Sequence, residues 1–196
     1  MKKLISIIII NTFLFSGTVY MSIDAQNEHS LQSDFLGDLD TFNNGAIMLG
    51  YSQTVYEKDS FLLDIGFSFS MKPSELDFGN HECFNITAGK ADYYNMYLMP
   101  NFQISDRVNL WAQLGEVFGR TDANTRLKPG LSYGIGLSFM AMKQIGIGLG
   151  YRVYNSSYDM STVVPNPIPI CPDNLDFTTI NIKVKRMSID LFYRFN

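Results

Sequence analysis

The sequence is poor in charged residues and in the residues that bind metals or act as nucleophiles. Asp, Glu, Lys and Arg make up 17% of its 196 residues, against a typical ~25%. It has two His and two Cys, and its net charge of −4 lacks the positive excess of a nucleic-acid-binding protein. Past the N-terminal segment, no apolar run reaches the ~18 residues of a membrane-spanning helix. These absences exclude a polytopic helical protein, a coiled coil and a collagen.

Apolar residues, by contrast, are abundant. Hydrophobic residues make up 46% and aromatic residues 14%, with 15 Phe and 11 Tyr, which excludes a disordered chain. A soluble domain needs charge on its surface, and this chain has little to supply.

The N-terminal segment has the features of an export signal. Two lysines precede an apolar run that is interrupted at Ser6 and at Asn11–Thr12 and ends at Phe15. A basic start followed by a short apolar stretch is typical of secretory leaders. We predict cleavage after Ala25, which divides the chain into a leader, 1–25, and a mature domain, 26–196. An uncleaved signal anchor is the alternative.

The mature domain alternates apolar and polar residues with a period of two. In one segment every second residue is apolar: Phe61, Leu63, Ile65, Phe67, Phe69 and Met71. Five other segments repeat the pattern: 47–55, 108–115, 133–139, 145–153 and 188–195. This period predicts β-strands with one apolar face each.

The second face of these strands indicates where the apolar face points. It carries mainly Gly, Ser and Asn, as at Gly134, Gly136 and Ser138. Glycine weakens a solvated strand surface, whereas inside a narrow barrel small residues leave room for large ones. We therefore predict a membrane barrel with its apolar, aromatic-rich face towards lipid. A secreted lipocalin-like or sandwich protein is the alternative.

Connections and strand number follow from the same pattern. Seven strands are predicted, at 45–57, 60–72, 92–104, 107–118, 131–142, 144–154 and 177–195. Short connections alternate with long ones at 73–91, 119–130 and 155–176, as in outer-membrane barrels. An even strand number places an eighth strand at 29–42. Pro100 predicts a bulge inside its strand, and a parity change between Val184 and Ile189 predicts a second bulge or an extension above the membrane.

The chain thereby resembles the small outer-membrane β-barrels of the OmpA-like or OmpX-like kind, over about residues 28–196. Its end, with apolar residues alternating from Ile189 to Phe195, resembles the signal read by the outer-membrane assembly machinery. The resemblance implies an all-β, eight-stranded antiparallel up-and-down transmembrane β-barrel in the outer membrane of a Gram-negative bacterium. It implies outer-membrane lipid, lipopolysaccharide and the assembly machinery as partners. One such fold hosts many activities, so the fold alone carries no function.

Catalytic candidates are few. His29 lies near the predicted mature N-terminus and His81 lies in a predicted long loop. A metal site needs three or four ligands, and no second cluster accompanies His81. Ser156 and Ser157 lack the neighbouring histidine of outer-membrane lipid deacylases. We expect no enzyme activity, no metal and no cofactor.

An eight-stranded barrel has an interior that side chains just fill. We predict an inward polar network in that interior, made up of Asp64, Trp111, Arg152, Asp190 and Arg194. Opposite charges in so narrow a lumen would pair and plug it. A small ion pore lined by the same groups is the alternative.

The predicted outer loops carry two further candidate features. Arg120, Arg126 and Lys128 give one loop a positive charge that suits lipopolysaccharide phosphates; a simply solvated loop is the alternative. Export permits a disulfide, so we predict a bridge between Cys83 and Cys171, with two unpaired thiols as the alternative. Because the first cysteine lies far beyond the leader, a lipoprotein is excluded.

The expected function is that of a non-enzymatic outer-membrane barrel, either structural or binding partners through its outer loops. A narrow porin-like channel for small solutes is the first alternative. A lipid-modifying enzyme is the second.

Overall fold

The computed structural model describes residues 17–33, 37–43, 45–81, 84–121, 126–160 and 178–195. They form ten β-strands: β1 (Gly17–Ser33), β2 (Gly37–Asn43), β3 (Ile47–Lys58), β4 (Phe61–Lys72), β5 (Ser74–His81), β6 (Phe84–Ser105), β7 (Val108–Thr121), β8 (Arg126–Met140), β9 (Ile145–Met160) and β10 (Thr178–Phe195). Within this part of the chain, no helix is long and apolar enough to cross a membrane.

Eight of the strands form a closed antiparallel ring. Its order is β10-β9-β8-β7-β6-β4-β3-β1, and β10 pairs with β1 to close it. This seam runs from the pair Gly17–Phe195 to the pair Gln32–Asn181. The predicted eight-stranded antiparallel up-and-down barrel is therefore confirmed.

Two short strands, β2 and β5, extend the wall of the ring. β3 pairs with β1 from Thr18 to Ile23, and β2 pairs with β1 from Asn27 to Ser33. β4 and β5 share the long strand β6 in the same way, and β2 lies in contact with β5. The barrel thus continues beyond the part that eight strands would build alone.

Three sequence predictions are wrong in this extended part. The long connection at 119–130 is wrong because β7 continues to Thr121 and β8 begins at Arg126, which places Arg120, Arg126 and Lys128 on strands. The eighth strand is not 29–42, because that stretch is divided between the end of β1 and β2. The long connection at 73–91 is largely the hairpin of β5 and β6. All of these predictions located strands by a row of lipid-facing apolar residues. That row stops at the membrane edge, whereas the strands continue beyond it.

The part of the ring that begins at the pair Gly17–Phe195 has its apolar side chains outside. We call it the membrane half; it consists of residues 17–24, 47–72, 92–116, 131–153 and 187–195. Its outward side chains include Ile65 (46% exposed), Phe67 (49%), Leu137 (48%) and Leu149 (63%). Small polar side chains are buried on the inward face, among them Ser52, Ser68, Asn95, Asn109, Ser132 and Ser188. The predicted orientation, apolar outside and polar inside, is the one observed.

The upper part of the ring has the opposite arrangement. We call it the outer half; it consists of residues 26–33, 37–43, 74–81, 84–91, 117–121, 126–130, 154–160 and 178–186. Its described interior contains a cluster of buried apolar side chains that reaches to the edge of the membrane half. The cluster, named the apolar plug, comprises Leu31, Met48, Ala91, Tyr93, Val117, Leu127, Tyr154, Ile180, Ile182 and Val184.

The apolar plug explains the parity change predicted near the end of the chain. β10 pairs with β9 without any register shift from Thr178 to Tyr193, so β10 has no bulge against β9. Even-numbered residues point inward throughout, first as Ile182 and Val184 and then as Asp190. Of the two predicted explanations, the extension above the membrane is therefore the correct one.

The expected bulge at Pro100 is absent from both neighbouring pairings. Leu63 of β4 lies opposite Pro100 in an unbroken register. On the other side, Leu98 pairs with Leu114 and Asn101 pairs with Trp111, so both strands advance by three residues. The ladder simply lacks the bond that proline cannot donate.

Candidate functional site: the barrel interior

A buried ion pair occupies the centre of the membrane half. Arg152 of β9 contacts Asp190 of β10, with 2.7 Å between Nη2 and Oδ2 and 3.2 Å between Nη1 and Oδ1. The same guanidinium donates to Ser188 (2.7 Å) and Gln113 (3.3 Å). Neither partner reaches solvent, since their side chains are 5% and 7% exposed. Such a bidentate, fully coordinated pair fixes both side chains in the lumen.

Aromatic rings fill the space around this pair. The guanidinium carbon of Arg152 lies 4.6 Å from the Trp111 ring centre and 5.7 Å from that of Tyr20. Tyr97 donates to the Tyr20 hydroxyl across the lumen (3.1 Å). Glycines on adjacent strands make room for the rings: a Cβ on Gly136 would lie 2.2 Å from Trp111. The lumen is so narrow that it has room for large residues only where their neighbours have no side chain.

A second buried ion pair lies above the first. Arg186 of β10 donates to Asp24 of β1 through Nε (2.8 Å to Oδ2) and also through Nη2. Their side chains are 2% and 0% exposed. Tyr154 accepts a further hydrogen bond from Arg186 (3.2 Å), and its ring centre lies 5.4 Å from the guanidinium carbon. This pair therefore joins the two strands that close the ring.

The apolar plug lies beyond the second ion pair, and one buried polar residue, His29, lies on one of the same strands. His29 is 0% exposed, and neither of its ring nitrogens has a hydrogen-bond partner. It lies opposite Val184 on β10 and Thr41 on β2. Burial, helped by the charge of Arg186, lowers the pKa of His29 to about 4. His29 is thus held neutral above the membrane half.

The end of the lumen opposite the apolar plug is open. A cavity of about 740 Å³ lies at the rim where β1 begins and β10 ends, between Gly17 and Phe195. It narrows to a cavity of about 50 Å³ beside Trp111 and Arg152. Along the described strands, the interior therefore runs from a wide vestibule at this rim to two buried ion pairs, aromatic rings and the apolar plug.

All five predicted network residues line this interior. Arg152 contacts both Trp111 and Asp190. Asp64 instead accepts hydrogen bonds from Thr54 (2.7 Å) and Asn101 (2.9 Å). Arg194 lines both cavities at the open end of the lumen.

Sequence reasoning missed the second ion pair and its surroundings. Asp24 had been assigned to the leader, which left Arg186 without a partner. The missed signal is the alternation of Val19, Met21 and Ile23 with Tyr20, Ser22 and Asp24, the same period of two found elsewhere.

The other candidate residues lie apart from the lumen network. Arg120, Arg126 and Lys128 are exposed on the outer half, with Arg120 opposite Arg126 in the pairing of β7 and β8. Ser156 is buried without a partner for its hydroxyl. Cys83 and Cys171 lie outside the described residues. Across the described ranges, no three His, Cys, Asp or Glu side chains gather as a metal site would require.

A closed strand ring with an apolar outer belt and a polar interior defines a transmembrane β-barrel. The fold is that of the small outer-membrane β-barrel proteins. No protein-family model matches the chain, and no curated protein matches it either.

Solved structures of this class are similar in fold. The outer membrane protein AlkL is 12% identical, with 93% of this chain and 90% of AlkL covered and a TM-score of 0.57. OprG from Pseudomonas aeruginosa is 7% identical, with 91% and 95% covered and a TM-score of 0.52. At these identities the similarity concerns the fold alone.

Proposed function

We propose that the protein is a closed, non-enzymatic outer-membrane barrel that binds partners through its outer half. The observation that carries this proposal is the blocked interior. Two buried ion pairs and the apolar plug lie in series between the periplasmic vestibule and the outer end. A chain built for conduction would leave a continuous polar path, whereas this one fills its lumen and extends its wall outward.

The outer surface suits an anionic partner in its immediate surroundings. Arg126 and Lys128 are exposed just above Leu131 and Tyr133, which belong to the lipid-facing belt. Positive side chains at that level meet the phosphates of lipopolysaccharide. We therefore include lipopolysaccharide among the proposed partners, together with outer-membrane lipid; an extracellular protein is the proposed partner for the outer rim.

Conductance in planar bilayers tests the closed barrel. Heat-modifiable protein, shown to be folded by its altered migration when unboiled, is expected to give no steady current steps. Steady steps would favour the second candidate, a narrow channel for small solutes. That candidate is supported by the vestibule of about 740 Å³ at the periplasmic rim.

Binding to lipopolysaccharide tests the basic surface. The double variant Arg126→Gln/Lys128→Gln is expected to bind lipopolysaccharide vesicles several-fold more weakly than the wild type at low salt. Lys58→Gln, at the exposed last residue of β3 on the proposed periplasmic side, is the matched control and is expected to have no effect. Equal binding by all three proteins would contradict the assignment of this surface.

Three further proposals concern export and assembly. A leader directs the chain out of the cytoplasm, the terminal run ending at Phe195 is read by the assembly machinery, and Cys83 forms a disulfide with Cys171. Mass spectrometry of alkylated, non-reduced protein from native membranes tests the disulfide. Two alkylated cysteines would contradict it.

A further inference from the structure

The predicted leader boundary falls in the middle of a strand that the barrel needs. The bond after Ala25 lies within β1. Residues 17–24 of β1 pair with β10 on one side, and residues 18–23 pair with β3 on the other. A chain that began at Gln26 would have no strand between β10 and β3 in the membrane half.

The interior of the barrel also depends on this segment. Tyr20 is hydrogen-bonded to Tyr97 across the lumen, and Ser22 accepts from Arg152 at 3.5 Å. Asp24 is the ion-pair partner of Arg186, whose side chain is 2% exposed. Loss of residues 17–25 would leave one buried cation without its carboxylate, a strongly destabilising arrangement.

The wall of the barrel gives a second, independent reason. In lipid every backbone N–H and C=O must be bonded within the protein, so a membrane barrel has to be closed. Val19, Met21 and Ile23 continue the apolar outward face between the outward faces of β10 and β3. Without them, two strand edges would be unpaired at membrane depth.

We propose that residues 17–25 stay in the mature protein and that the leader is removed by hydrolysis of the Ser16–Gly17 peptide bond. Water adds across that bond, so the released leader ends in the carboxylate of Ser16 and Gly17 carries a new amino group. Ser16 supplies a small residue directly before the bond, which is one of the two small positions of an A-x-A-like site; the other position is Leu14. Gly17 lies opposite Phe195 at the open periplasmic rim, where a charged amino group is hydrated.

The N-terminus of the natural protein tests the proposal directly. The full chain is expressed, purified from outer membranes and analysed by N-terminal sequencing and intact mass. We expect the sequence to begin at Gly17. A beginning at Gln26 overturns the proposal. A beginning at a residue before Gly17 would support the retention of residues 17–25, but it would overturn the assignment of cleavage to the Ser16–Gly17 bond.

A matched pair of variants locates the processed bond. Ser16→Phe places a bulky residue before the proposed bond and is expected to accumulate uncleaved precursor. Ala25→Phe places the same residue before the alternative bond, at an exposed position, and is expected to be processed as in the wild type. The reverse pattern overturns the proposal.

A third measurement tests the need for the segment. One foreign leader is joined either to Gly17 or to Gln26, and folding is followed by heat-modifiable migration. Only the longer chain is expected to fold. Equal folding of both chains would show that residues 17–25 are dispensable and would overturn the proposal.

Discussion

The membrane half and the outer half of this barrel use the same strands with opposite polarity. On β10, Ile189 faces lipid and is 52% exposed, whereas Ile182 faces the lumen and is 2% exposed. No bulge separates the two against β9. One strand is therefore suited to both lipid and water. Its apolar side chains lie on the outer face in the membrane half and on the inner face in the outer half.

The comparison shows what holds each half together. The outer half has a conventional apolar core, in which burial from water drives packing. The membrane half gains nothing from burying apolar groups away from lipid, so its lumen is organised by ion pairs, hydrogen bonds and rings packed over glycines. Substitutions should therefore have different costs in the two halves.

The largest expected effect concerns the ion pair at the junction of the two halves. Asp24→Asn leaves the buried Arg186 without its charge partner and is expected to lower the free energy of unfolding by about 3–5 kcal/mol. Glu28→Gln breaks the pair with Lys185 on the same two strands, where the side chains are 23% and 31% exposed, and is expected to cost about 0–1 kcal/mol. Urea unfolding in detergent measures both. Similar losses would mean that burial does not distinguish the pairs.

Two isoleucines on β10 sharpen the contrast between the halves. Ile182→Ala leaves a cavity in the apolar plug and is expected to cost about 2–5 kcal/mol. Ile189→Ala is expected to cost less, because lipid tails fill the space that the side chain vacates. The same unfolding measurement compares them. A larger loss for Ile189→Ala would contradict the apolar core of the outer half.

Charge on the lipid belt tests the polarity of the membrane half. Leu137→Arg is expected to cost about 2–4 kcal/mol near the midplane. The inward counterpart, Ser138→Arg, would overfill the lumen and so could also impair folding. The cleaner pair is therefore Leu137→Asn against Ser138→Asn. The first should impair assembly into heat-modifiable protein more than the second. Equal or reversed effects would mean that the two faces are exchanged.

Acidification should weaken the outer half through His29. Its folded-state pKa of about 4 lies below the ordinary ~6.5, so its contribution is present above pH 6.5 and is lost as the pH falls towards 4. The expected loss at pH 5 is about 2 kcal/mol. His29→Leu should show a shallower decline of stability between these pH values, measured by urea unfolding. Identical pH profiles for the two proteins would contradict a buried neutral histidine.

The smallest expected effect concerns packing over glycine. Gly136→Ala forces a methyl group against Trp111 and is expected to cost about 1–3 kcal/mol. Gly148→Ala is the matched control, because its added carbon would lie 3.0 Å from the Leu137 backbone oxygen and 3.6 Å from the side chains of Asp190 and Ser138, against 2.2 Å from Trp111 at Gly136. It should cost less. Thermal shift of the heat-modifiable form ranks the two variants.

The membrane half was predictable because its pattern is local. Alternation alone placed Ile65 outside and Asp64 inside, and the short turns fixed most of the strand ends. The outer half was not, because its strands have apolar residues on the inner face, and a search for lipid-facing rows ends at the boundary. The one-residue bulge between Asp24 and Gln26 also shifted the inward positions from even to odd, which hid the continuity of β1.

The interior was partly predictable for a related reason. Trp111, Arg152 and Asp190 lie on strands recognised from alternation, so their inward direction followed at once. The partner of Arg186 required knowledge of which strand closes the ring, which is a pairing between the two ends of the chain. Local patterns carry no information about such a pairing.

The seam between β1 and β10 also bears on how the chain folds. Closing a ring joins residues that are far apart in sequence, and the entropy lost grows with the length of the loop that is closed. Two ion pairs stand at this seam, with sequence separations of 157 and 162 residues. Because both must form with the bulge between them, a slip of one residue would break both, so these charges set the register of the final step. A seam that closed out of register would therefore lack both ion pairs, and the buried Arg186 would have no carboxylate to compensate its charge.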